Sequence, residues 1–327
     1  MIMSEKNCYT KDEIMLMIAN TFVVYVYHIE NNGLVDGKTG AMLFLYRYAA
    51  LSGNEDYEAL AGQLLDGMMK VAPSLPHGFE SGLAGVGWAI SRLIREGLVE
   101  GTPDNVLRAI DERVLGRMEC DRRSILGQAV YMAERLRNTT PEYGLERYAG
   151  RMLDFIQSEL TCAKECPTLY HLNSALYFLS CVRQLAEAHA SAEKLIGVLP
   201  SVYDRIKKES AFTEQDIFIN RLLSEKTGTE AVFSADDVNG KNVLYGGNAG
   251  DDADLRGFVN KAWQELVYFG RLVSVLPSQD RLSAFVDRMQ TDLSEDSMSM
   301  RHGLAGLGLA LTADEAAAIQ ECGTGCV

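Results

Sequence analysis

Three segments of the chain share one glycine spacing and then run apolar. Val35 to Tyr48 reads VDGKTGAMLFLYRY, Glu80 to Leu93 reads ESGLAGVGWAISRL, and Arg301 to Leu311 reads RHGLAGLGLAL. Gly37/Gly40, Gly82/Gly85 and Gly303/Gly306 superpose without gaps, and Gly85-Val86-Gly87 repeats as Gly306-Leu307-Gly308. Glycine is about 1 kcal/mol worse than alanine inside a helix, so its recurrence at apolar helix starts needs another cause. Tight turns and close backbone approach supply one. Looser copies are SILGQAVYMAERL from Ser124, HLNSALYFLS from His171 and GNAGDDADLRGF from Gly247. Equivalent positions 37, 82, 124, 172, 247 and 303 are separated by 45, 42, 48, 75 and 56 residues. A period in the forties has room for two helices and two turns. The interval of 75 holds an insertion or one degraded repeat.

Between the glycine signals lie amphipathic segments. NEDYEALAGQLLDGMMKVA from Asn54 has helical apolar spacing and an acidic first turn. TPDNVLRAIDERVL from Thr102 opens with a threonine cap and proline at the first helical position. AGRMLDFIQSEL and DRLSAFVDRMQTDL are similar. The glycine-led segments, by contrast, are apolar nearly all round, and a helix of that kind must be buried on all sides. Alternation of the two kinds predicts an all-α fold, an α/α toroid. Inner helices would form one ring inside a second, in six or seven helical pairs, as a single domain over residues 1–327 with a short tail at 313–327.

The chain has 327 residues with 31 basic and 45 acidic side chains, a net charge of -14. That balance repels phosphate backbones and anionic lipid, so neither nucleic acid nor a membrane is an expected partner. No apolar run approaches membrane length, and the first residues show no signal peptide. Seven cysteines suit reduced thiols in a cytoplasm better than a disulfide framework. No Walker-type phosphate loop, dinucleotide fingerprint or nucleophile elbow is present. Nothing in the sequence sets an oligomeric state.

On the strings GLVDGKTGAMLFL, HGFESGLAGVGWAI, YGGNAGDDADL and RHGLAGLGLAL, the chain resembles the lanthionine synthetase C family over roughly residues 30 to 312. The resemblance implies an α/α toroid with glycine-rich inner-helix starts. It also implies one zinc, held by a Trp-Cys-x-Gly-x-Pro-Gly segment and a Cys-His-Gly segment, that activates a peptide thiolate for addition to a dehydrated serine or threonine. Here the first ligand cysteine corresponds to Tyr245 and the second to Arg301, so only His302 remains of three ligands. Tyrosine is a poor ligand near neutral pH, and a permanent guanidinium opposes a cation, though it can hold an anion. The family's catalytic histidine corresponds to His171, whose glycines are replaced by Leu172 and Ala175.

The resemblance therefore implies a divergent relative without zinc or cyclase activity, using the ring mouth to bind a peptide or protein. Candidate mouth residues are His77, Glu80, Tyr245, Asp251, Arg301 and His302, with His171 and His302 as candidate acid–base groups. One alternative is a relocated zinc site made by His302, Cys322 and Cys326; Cys-x3-Cys is a loose zinc spacing. Cys162 and Cys166 have the same spacing, with His171 five residues on. Asp251, Asp252 and Asp254 suit a helix first turn, or a divalent cation. A carbohydrate-active toroid using paired carboxylates such as Glu80 and the Asp251 group is the remaining alternative.

Overall fold

The structure is a computed structural model that describes residues 8–116, 118, 122–161, 166–210, 212–229, 233 and 251–323. The described residues are helical throughout, with fifteen α-helices joined by turns and short 3-10 segments and no strand. Two kinds of helix alternate, as the sequence leads one to expect. In α4 (Leu83–Arg95) every residue from Leu83 to Leu93 is buried. In α2 (Lys38–Ser52) burial is continuous from Thr39 to Tyr46. By contrast α3 (Glu55–Val71) buries only Tyr57, Ala61, Leu64 and Met68, one stripe at helical spacing. It is capped by the Asn54 side chain, which accepts from the Asp56 amide, and it carries three acids in its first turn.

The chain divides into two compact units, Met1–Leu75 with Gly247–Val327, and Pro76–Gly246. In the first, α15 (Leu304–Gly323) lies between α12 (Asp251–Phe269) and α2, with α1 (Lys11–Tyr25), α3 and α13 (Gln279–Thr291) packed on them. The first and last glycine-led helices are thus side by side, although about 265 residues apart in the chain. In the second unit α4, α7 (Arg122–Arg137), α9 (Leu169–Val182) and α11 (Glu214–Thr227) pack in series. They are backed by α6 (Arg108–Val114), α8 (Arg147–Thr161) and α10 (His189–Glu209).

The glycines make these contacts. A Cβ at Gly308 of α15 would stand 2.5 Å from the Phe44 ring of α2, and one at Gly87 of α4 would stand 2.7 Å from the Tyr131 ring of α7. Phe44 lies four residues after Gly40, and Tyr131 four after Gly127. The step from α15 to α2 therefore repeats in the other unit as the step from α4 to α7. The preceding loops match too. In Asn31–Gly37, Pro76–Gly82 and Ser297–Gly303 a methyl on the seventh residue would overlap the carbonyl oxygen of the first. The fourth residues, Leu34, Phe79 and Met300, are buried plugs.

Two expectations change, and one open alternative narrows. The 75-residue interval contains α10 and α11, and α11 packs on α9 as α9 packs on α7, as a degraded repeat would. α11 starts on a capping box between Thr213 and Asp216, not on glycine. The segment from Thr102 is two short helices, α5 (Pro103–Val106) and α6, and Thr102 makes no side-chain cap. Residues 313–323, read as tail, continue α15, because their alanine-rich run is strongly helix-forming and meets no breaker before Gly323. No helix among the described residues is long and apolar enough to cross a membrane.

Candidate functional site

In the first unit the loops that open α2 and α15 are joined. The Met300 amide donates to the Val35 carbonyl at 2.7 Å, and the Glu295 carboxylate accepts from the amides of Glu30 and Asn31. Arg301 donates to Asp36 through Nε at 2.9 Å and Nη2 at 3.0 Å, a bidentate pair. Fork-on-carboxylate geometry fixes orientation as well as charge. His302 faces Asp296 of α14 (Glu295–Met298) through Nδ1 at 3.3 Å, and Arg256 of α12 donates to the same carboxylate. The His302 bond, helped by Arg256 and opposed by partial burial, holds Asp296 at about 2.

These partners decide how well the residues suit zinc. A guanidinium has no lone pair to give, and that of Arg301 is spent on Asp36. His302 turns one ring nitrogen to a carboxylate that Arg256 already binds. Among the described residues no group of three or more histidine, cysteine or acidic side chains has the arrangement of a metal site. At the start of α15 an arginine–aspartate clamp thus stands beside a histidine–aspartate pair. Tyr245 and Cys326 lie outside the described residues, as do the side chains of Asp251 and Cys322. Asp254 is paired with Arg281 on α13.

The remaining candidates lie in the second unit. His77 is half-buried in the loop before α4. Glu80 of that loop is close enough to Asp216 to repel its charge. Burial chiefly, and Glu80 in addition, raise the Asp216 carboxyl against its bonds from Thr213. Asp216 belongs to the Thr213 capping box, so this carboxylate neighbour of Glu80 is already committed to a helix start. The Asp251 group is not in this unit. His171 sits in the first turn of α9. Its amide donates to the Thr168 cap oxygen, and its Nδ1 lies 2.7 Å from the same oxygen. Cys166 is a free thiol and Cys162 lies outside the described residues.

The sequence reading missed a buried ionic network in the second unit. Asp111 of α6, 2% exposed, accepts from the Tyr131 hydroxyl at 2.6 Å, the Tyr143 hydroxyl at 3.1 Å, and Arg135 Nη2 at 2.9 Å. Arg135 is fully buried, and its Nη2 also reaches Asp104 at 2.8 Å. Burial pushes Asp104 up, but bonds from Arg135, Thr140 and Thr139 outweigh it and hold the carboxyl at about 2. Burial, then the Asp111 charge, push the Tyr143 phenol up to about 12. The network floors an open cleft of about 430 Å³. Compared with protein-family models, with curated proteins and with solved structures, the chain matches none of them.

Proposed function

We propose that this chain closes as an α/α toroid of the lanthionine synthetase C type, has lost zinc-dependent cyclase chemistry, and acts as a peptide- or protein-binding scaffold. Ring closure is supported by the first and last glycine-led helices packing side by side, and by one helix-to-helix step recurring in both units. The observation that carries the loss of chemistry is Arg301 in its bidentate bond to Asp36. In the family's arrangement that position gives a thiolate to the metal; here it gives a cation to a carboxylate. The loop is then held by ion pairs that need no metal, and a bound peptide thiol would have nothing to lower its pKa.

A direct test offers the protein a peptide with one cysteine and one dehydrated serine, with zinc added, and counts the thiols still open to alkylation by mass. The expected count equals that of a protein-free control. Thiol loss well above the control would overturn the scaffold reading in favour of the relocated site at His302, Cys322 and Cys326.

A further inference from the structure

The outer helix α3 buries one stripe and turns a polar face outward, but α1 is apolar on both sides. Its inner face, Ile14, Met15, Ile18, Ala19 and Phe22, is buried. From Ile14 to Tyr27 the chain carries no charged side chain. The outward stripe is Leu16, Val23, Val24 and Tyr27, and Leu293, just past the end of α13, is exposed as well. Val24 is 73% exposed and Tyr27 58%. A helix apolar all round needs cover on every side. Here α13, α3 and the α2–α15 pair cover three of them.

The helix that carries this stripe is held on both flanks. Gln290 of α13 donates to the Met17 carbonyl at 3.2 Å and to the Thr21 hydroxyl at 2.7 Å. On the other side the Tyr57 hydroxyl of α3 donates to Asn20 at 2.8 Å, and the Tyr27 hydroxyl donates to Gln63 of α3 at 3.1 Å. The five exposed apolar side chains leave roughly 500 Å² uncovered on each copy, so two such faces together bury about 1,000 Å², the size at which a specific interface begins.

We propose that this face pairs two copies of the chain, their α1 helices antiparallel on a two-fold axis at Asn20. A two-fold contact must be complementary to itself. In this register Leu16 meets the partner's Val24, and Asn20 meets the partner's Asn20, amide to amide. At the rim the exposed Asp12 meets the partner's His28, an acid against an imidazole that can donate to it. Symmetry makes that pair twice, and antiparallel helix dipoles add to the attraction. No charge lies between these two ends to select a charged partner instead.

The test is sedimentation velocity of the full chain from low to high micromolar concentration, at about 0.15 M salt to screen the charge of -14 on each copy. A monomer–dimer equilibrium is expected, with Val24→Asp raising the dissociation constant about tenfold or more. Asp12→Lys and His28→Glu should each weaken the dimer about threefold, and the two together should restore it with the signs exchanged. The two positions lie about 24 Å apart along one helix, so restoration identifies a contact between copies. All three side chains are exposed, so the variants should fold, and unfolding temperature checks it. A monomer at every concentration overturns the proposal, as does a dimer that Val24→Asp leaves intact. A charge swap that fails to restore the dimer overturns the antiparallel axis at Asn20.

Discussion

Gly306→Ala is expected to lower the unfolding free energy by about 3 kcal/mol, the upper part of the usual range for overpacking. Helix propensity alone predicts the reverse, a gain of about 1 kcal/mol. The reversal comes from position. A methyl at Gly306 would overlap the Met300 carbonyl oxygen and stand 2.6 Å from Val259 Cγ1 on α12. The first of these is backbone, so no side-chain rotation relieves it. Gly67→Ala is the matched control. It lies inside α3, exposed, with nothing within 4 Å of the added methyl, and should stabilise by about 0.5–1 kcal/mol. Urea unfolding of both variants separates a glycine kept for contact from one that is incidental. Equal effects would remove the argument that the glycine signal encodes helix packing.

Asp111→Ala is expected to cost about 3 kcal/mol, because it leaves the buried Arg135 guanidinium with Asp104 as its remaining carboxylate partner among the described residues. Arg135 is fully buried, and its Nη1 has no partner even with Asp111 in place. Tyr131 would lose its acceptor as well. The double variant Asp111→Leu with Arg135→Met should cost less than the two single substitutions added together, since each single change leaves its partner's buried charge with fewer bonds and the double change removes both charges. Strict additivity in urea unfolding would show that the two residues do not act as a pair.

The glycine spacing made the helix starts legible because it records a steric fact that changes little from repeat to repeat. Where the contact is met differently, the signal vanishes. The start of α11 relies on Thr213 and Asp216, which look like any cap, so the repeat it belongs to was hidden in a long interval. The ion pairs were harder. Arg301 and Asp36 are far apart in the chain, and only the adjacency of the first and last repeats brings them together. Asp111 and Arg135 sit among other charges in IDERVL and AERLRN, where alternating charge ordinarily marks a solvated face. Their burial depends on how α6 and α7 meet, which local pattern does not encode. His171 and His302 were legible as candidates from their neighbours, but their bonds to Thr168 and Asp296 were not.

On the proposed reading, ion pairs rather than a metal hold the loops where α2 and α15 begin. Zinc content per chain decides the point, measured on tag-free protein purified with reduced thiols, before and after zinc exposure and buffer exchange. The account predicts a ratio close to zero in both samples. A ratio close to one, lost on substituting His302, Cys322 and Cys326, would contradict it and make this a zinc protein with a rebuilt site.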